Sequence, residues 1–181
     1  TPDIEIASID ECYIDYSKIK KLYGDEINFA KKINKEIKEK FGFTVNVGIA
    51  NNKLCAKMAS DFEKPNKVHT LFDEEVPKKM WPLPVEDLFM VGKNTSKKLH
   101  ELGINTIGEL AKYDTIVLTK YFKSMANMIH DYSNGIDNSP VERPEPKNKG
   151  IGHSTTLPSD VEDIVSLKKV LRKLSDMVGI R

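Results

Sequence analysis

The chain has 181 residues, 28 lysines and arginines against 27 aspartates and glutamates, a formal net charge of +1, and a composition that is 39% hydrophobic and 30% charged. That is an ordinary globular composition with enough chain for one or two domains, and its near-neutral balance excludes a chain-wide nucleic-acid signature, so any basic surface must be local. No apolar run approaches the ~20 residues of a membrane-spanning helix and nothing resembles a secretory signal, while Cys12, Cys55 and four scattered histidines give neither a disulfide framework nor a zinc knuckle.

The first segment, IEIASIDECYIDYS, holds two β-type runs, residues 4–9 and 12–16, parted only by Asp10 and Glu11, which predicts a hairpin. From Ile27 the apolar residues Ala30, Ile33, Ile37 and Phe41 recur at helical spacing, and Gly42 follows as a stop. Lys31, Lys32, Lys35 and Lys38 form that helix's solvated face, with Glu36 and Glu39 placed to pair with them. TVNVGIA alternates like a strand. A second helix, residues 53–62, buries Leu54, Met58 and Phe62 and aligns Lys53, Lys57, Ser60 and, past its end, Lys64 on the other side. KVHTLF supplies a further strand. The order ββαβαβ predicts one sheet with helices on one face, an α+β layer arrangement.

After Asp73 the pattern changes to short helices with tight links. PVEDLFMVGKNTSKKLHELGI reads as helix, hairpin, helix, with Pro84 in a first turn, residues 91–93 as the hairpin and Gly103 as a stop. Helices over residues 107–112 and 115–133 follow, the second broken around Lys123, and Gly135 ends them. SPVERPEPKNKG, residues 139–150, is proline-rich and polar, a semi-rigid linker. Beyond it IGHSTTL reads as the start of a strand, and residues 161–178 carry apolar side chains at helical spacing. Thr1 is not an initiator methionine and the last residues fall inside a helical pattern, so the sequence reads as a piece of a longer one.

Three features carry possible chemistry. Neighbouring residues of a regular strand point to opposite faces, so Asp10 and Glu11 converge only where the backbone turns. There they suit Mg2+, which takes one or two carboxylates and completes its shell with phosphate oxygens and water. Lys64, fixed by the following proline, can deliver a point charge to a triphosphate; the bland reading is a helix-end lysine meeting the negative end of the dipole. The loop from Met90 to Lys93 has a glycine that lets backbone N–H groups approach a phosphate at a helix N-terminus, with Thr95, Lys97 and Lys98 placed to add backbone contacts.

Together these stretches resemble the Y-family translesion DNA polymerases, of the bacterial polymerase IV type. SIDECYIDYS is similar to the family's palm motif S-I/V-D-E-A/C-Y-L/I-D, and TVNVGIANNKLCAKMASDFEKPN to its T-x-x-x-G-I-A/S-x-N/T-K-x-x-A-K-x-A-A/S-x-x-x-K-P stretch. VGKNTSKKLHELGI resembles the thumb's helix-hairpin-helix, GIDNSPV the thumb's end and KGIGHSTTL the beginning of the little finger. The resemblance implies an incomplete palm over residues 1–72, a thumb over 73–138, a linker over 139–149 and the start of a little finger over 150–181. It implies that Asp10 binds a catalytic Mg2+ pair, that Glu11 is the further essential carboxylate, that Ser8 lines the site and that Lys64 holds the incoming triphosphate. Val91, Gly92, Lys93, Thr95, Lys97 and Lys98 would meet the DNA backbone. One departure is visible: the family's G-x-G hairpin is here Met90-Val91-Gly92.

The implied activity is error-prone, template-directed DNA synthesis past lesions in a cytoplasmic, nucleoid-associated bacterial protein. Its partners would be primer-template DNA, a deoxynucleoside triphosphate and, in a longer protein, a sliding clamp, with no membrane. In the family another palm strand bearing a metal-binding Asp precedes this region, so the chain by itself is expected to be inactive. Two rivals remain: a DNA-binding scaffold that keeps the fold without the chemistry, and a nucleotidyl cyclase, which has no use for a helix-hairpin-helix.

Overall fold

Apolar alternation pairs the first two strands as expected. β1 (Asp3–Ile6) and β2 (Cys12–Asp15) are antiparallel, with Ile4 opposite Ile14 and Ile6 opposite Cys12. The connecting loop is closed by the N–H groups of Ala7 and Ser8, which donate to the Glu11 carbonyl at 2.9 and 3.2 Å. The computed structural model describes residues 3–142 and 150–180, and the chain divides into two units, Thr1–Arg143 and Pro144–Arg181.

In the first unit a short α1 (Lys20–Tyr23) leads to α2 (Glu26–Phe41), where Asp25 caps the N-terminus by accepting from the Asn28 N–H at 2.8 Å and Gly42 closes the C-terminus at φ 78°. β3 (Val47–Ala50) runs parallel to β4 (Val68–Leu71), joined through α3 (Lys53–Asp61), whose N-cap Asn52 accepts from the Cys55 N–H at 2.8 Å. Gly48 lets α3 lie directly on β3: a Cβ there would sit 1.8 Å from the Ala56 carbonyl oxygen. That close approach sets where the lysines of α3 emerge.

The expected single sheet is instead two. β1 and β2 form one two-stranded sheet, β3 and β4 another, and among the described residues no strand bridges them. The local loop is enough to pair β1 with β2, and the α3 crossover pairs β3 with β4, but neither connection can lay β2 against β3.

Helices make up the rest of this unit. A 3₁₀ turn (Asp73–Glu75) feeds α4 (Val76–Lys79); a second 3₁₀ turn (Val85–Asp87) precedes α5 (Lys93–Glu101); α6 (Ile107–Ala111), α7 (Thr115–Phe122) and α8 (Met125–Ser133) follow. The break at Lys123 lies where expected, with φ 50°, and Gly103 and Gly135 end their helices at φ 77° and 74°. The first limb of the helix-hairpin-helix is the 3₁₀ turn rather than a helix, because Leu88 returns to an extended conformation (φ −66°, ψ 128°) before a second turn can form. One apolar cluster holds these pieces: Leu54 and Met58 of α3 and Leu71 of β4 share a core with Met80, Leu99, Ile107, Leu118 and Ile129. Each such burial contributes about 1.5–3 kcal/mol. The core therefore crosses the sequence position where the character of the chain changes. Hydrogen bonds cross it too, from Asn52 Nδ2 to the Gly135 carbonyl at 2.8 Å and from the Leu54 N–H to Asp137 Oδ2 at 3.1 Å.

In the second unit the described residues ahead of residue 164 form no strand, which corrects the expectation for IGHSTTL. Among the described residues of this unit no neighbouring strand takes up its backbone N–H and C=O groups. α9 (Ile164–Gly179) does form, with Asp163 capping it by accepting from the Ser166 N–H at 2.7 Å. Residues 143–149 of the expected linker lie outside the described residues. No described helix is long and apolar enough to cross a membrane.

Candidate active site and nucleic-acid interface

The acidic pair sits on the exposed loop between β1 and β2. Ser8 Oγ donates to Asp10 Oδ1 at 2.6 Å and accepts from the Asp10 N–H at 3.3 Å, so the serine fixes the first carboxylate locally. Glu11 reaches elsewhere. Its Oε1 lies 2.6 Å from Lys57 Nζ on α3, and Lys57 also holds Asp61 at 3.0 Å, one helical turn on. Asp61 in turn holds Lys64 at 2.7 Å. Glu11, Lys57, Asp61 and Lys64 thus form one alternating chain of charges, and Asp10 stands beside it on the same loop.

Burial decides the role of each lysine. The Lys57 side chain is 18% exposed, so it is a fixed member of the network, whereas that of Lys64, paired with Asp61 alone, is 61% exposed and accessible to a ligand. Burial pulls the Lys57 ammonium down, but the hydrogen bonds it donates to Glu11 and Asp61 outweigh it and hold the group above its ordinary value. For Asp61, burial pushes up and the two lysines win, holding the carboxyl below its ordinary range. A turn earlier, Lys53 Nζ pairs with both oxygens of Glu5 at 3.0 and 3.1 Å and lies 5.5 Å from the centre of the Tyr13 ring. Glu5 is held low, chiefly because it accepts the Glu142 N–H and, against some burial, because of Lys53.

Asp10 Oδ2 and Glu11 Oε2 meet no partner among the described residues. Two carboxylates with open oxygens are what a hard divalent cation takes from a protein when substrate phosphates complete its shell, so the donor set fits Mg2+. Among the described residues no group of three His, Cys, Asp or Glu side chains is gathered to hold a metal. The lysine line on α3 was visible in the sequence; the part played by Lys57 and Asp61 was not. Their signal is the spacing Lys57, Asp61, Lys64, which places opposite charges four residues apart on one helical face and three residues apart just past the helix end.

The second cluster lies at the start of α5. Val91 is 7% exposed and packs into the core, and its N–H donates to the Leu88 carbonyl at 2.9 Å, so it anchors the loop. Gly92 is the N-cap, and its carbonyl accepts from Thr95 and Ser96 at 2.9 Å each. Lys93, Lys97 and Lys98 are exposed and Thr95 half-buried, while Ser96 and Leu99 turn inward. Met90 occupies φ 72°, the left-handed region that a side chain with a Cβ disfavours. The glycine absent from this hairpin is absent at the position whose backbone most calls for one.

Residues 1–61 match the impB/mucB/samB family and residues 86–137 match the family described as DNA polymerase-iota, thumb domain. The fold is also similar to that of a Y-family DNA polymerase chimera of Dbh and Dpo4, with a TM-score of 0.80 and 30% identity over 99% of this chain and 52% of that one. A second solved structure, the insertion ternary complex of Dbh DNA polymerase, matches with a TM-score of 0.69 and 31% identity over 98% of this chain and 52% of that one. The chain is thus similar in sequence and fold to Y-family DNA polymerases. It is also similar along its whole length to DNA polymerase IV of Clostridium acetobutylicum, 50% identical over 100% of this chain and 46% of the relative. The chain therefore spans about half the length of the curated relatives it matches.

Proposed function

We propose that the chain serves template-directed DNA synthesis past lesions as the palm and thumb part of a longer bacterial polymerase, acting on primer-template DNA with deoxynucleoside triphosphates. The observation that carries this reading is the exposed Asp10-Glu11 loop joined through Lys57 and Asp61 to the exposed Lys64. In this reading residues 1–72 act as palm, 73–138 as thumb, 139–149 as linker and 150–181 as the start of a little finger, with a sliding clamp as a further partner and the bacterial cytoplasm, at the nucleoid, as the setting.

Asp10 and Glu11 would hold two Mg2+ ions, which when bound polarise the reacting phosphate and lower the pKa of an attacking hydroxyl. The chain's own residues do the positioning. Ser8 orients the Asp10 carboxylate. Lys57 holds Glu11 toward α3 and keeps Asp61 charged, so that Asp61 steers Lys64 toward the triphosphate. Lys64 meets phosphate as a point charge already in the ground state. At the thumb, Gly92, Lys93 and Thr95 would bind a strand through backbone and hydroxyl groups, Lys97 and Lys98 through charge, and Val91 by holding the loop in place.

Primer extension by a polymerase of the relatives' length carrying this chain tests the reading. Asp10→Asn should slow incorporation by about 10³-fold with little change in duplex affinity, and Lys64→Ala should mainly weaken nucleotide binding. Extension at the parent's rate by Asp10→Asn contradicts it.

A further inference from the structure

α2 carries more positive charge than its acidic residues neutralise. Glu36 pairs with Lys32 and Lys40 at 3.9 and 3.0 Å, and Glu39 with Lys35 at 3.8 Å, while Lys31 and Lys38 meet no carboxylate among the described residues. Lys31, Lys35 and Lys38, with Lys67 just ahead of β4, line an open groove of about 370 Å³ together with Asn34 and Asn66. Lys67 is the one of these held closely by a carboxylate, Glu63 at 2.9 Å. Asn34 is 6% exposed, and its side-chain oxygen meets no donor among the described residues. A buried amide oxygen without a partner is costly in an isolated fold.

Spacing selects the ligand. Lys31, Lys35 and Lys38 stand at i, i+4 and i+7, so they share one helix face over roughly 10 Å of axis, long enough to follow a strand past more than one phosphate. Phe41, from the apolar stripe of the same helix, follows Lys38 at the helix end, exposed and stacked against exposed Phe43 with ring centroids 6.0 Å apart. A linear basic groove continued by exposed aromatic faces is the combination that binds single strands, charge following the backbone and rings stacking on bases. A free phosphate would make no use of the length or of the rings.

We propose that the α2 groove binds a single nucleic-acid strand, with Lys31, Lys35, Lys38 and Lys67 meeting successive phosphates and Phe41 stacking on a base. This site is separate from the acidic hairpin and from the α5 loop. Its chemistry is sequence-tolerant, because every base presents a face to stack on.

Fluorescence anisotropy of the 181-residue chain with labelled oligo(dT), over a salt series, reads the site directly. The paired substitution Lys31→Gln with Lys38→Gln should weaken oligo(dT) binding about tenfold and reduce the salt slope by ~1.4, two phosphates at ~0.7 each. Phe41→Ala should weaken it about fivefold or more at every salt concentration, with thermal melting curves confirming that both variants remain folded. Lys97→Gln with Lys98→Gln should lower duplex binding instead, so failure of the thumb reading is visible separately. Unchanged oligo(dT) affinity in the α2 variants overturns the proposal. So does an equal loss of duplex and oligo(dT) binding, or displacement of oligo(dT) by inorganic phosphate as effectively as by unlabelled oligo(dT).

Discussion

The acidic hairpin and the α5 loop are built on opposite principles. Glu11 is held by a charge network across to α3, on a sheet of two short strands whose loop is exposed. Gly92 and its lysines are instead carried on a loop riveted from below, with Val91 and Leu99 buried in the main apolar core and Ser96 turned inward as well. A site held by charge answers to pH, salt and bound cations and can rearrange when phosphates arrive. A site held by packing presents the same N–H groups under all conditions until the core melts. The contrast suits the proposed roles, since a metal- and nucleotide-binding site must exchange ligands every cycle and a strand clamp need only hold.

Cutting the rivet gives the largest expected effect on stability. Leu99 is fully buried, and Leu99→Ala should cost about 2–5 kcal/mol. Because that core continues into α3, calorimetry should show the whole first unit melting earlier in one transition. Separate melting of the α5 region alone would mean that the two sites do not share a core.

Cutting the charge network should do less, and in a pH-dependent way. Asp61 is held below its ordinary value, so its contribution is complete above the unfolded-state pKa of about 3.9 and is lost as pH falls through the lower folded value. Lys57 is held above its ordinary value, so its share is complete below about 10.4 and is lost as pH rises through the folded value. Lys57→Met should therefore flatten both limbs of the stability-pH curve while costing about 0.2–1 kcal/mol at neutral pH. An unaltered acid limb would remove Lys57 from the network.

The smallest effect sharpens the packed side of the comparison. Met90 holds φ 72° without a glycine's freedom, so Met90→Gly should raise stability by up to about 1 kcal/mol, the relief of left-handed strain offset by greater freedom in the unfolded chain. Urea denaturation measures it. A loss of stability would mean that the exposed Met90 side chain makes contacts that outweigh its backbone strain.

Much of this arrangement was legible in the residues. The hairpin, the bounds of α2, the break at Lys123 and the stops at Gly103 and Gly135 follow from local rules of periodicity and left-handed backbone. α1, α4 and the two 3₁₀ turns were not legible, because three or four residues carry no periodicity to read. The division into two sheets depends on pairing between distant segments, which alternation within one strand does not encode. Asp10, Glu11 and Lys64 stood out through their motifs. Lys57 looked like one more lysine of a solvated line until Gly48 brought α3 down on β3 and the hairpin supplied Glu11.

Single-turnover incorporation at saturating duplex DNA, in a polymerase of the relatives' length bearing Glu11→Gln, tests the central claim most directly. The amide keeps the shape of the side chain but gives up the charge that Lys57 and a divalent cation would share. The account predicts a rate lower by about 10³-fold with duplex affinity, set by the packed α5 loop, unchanged. Incorporation at the parent's rate, or a loss explained wholly by weaker duplex binding, would contradict it.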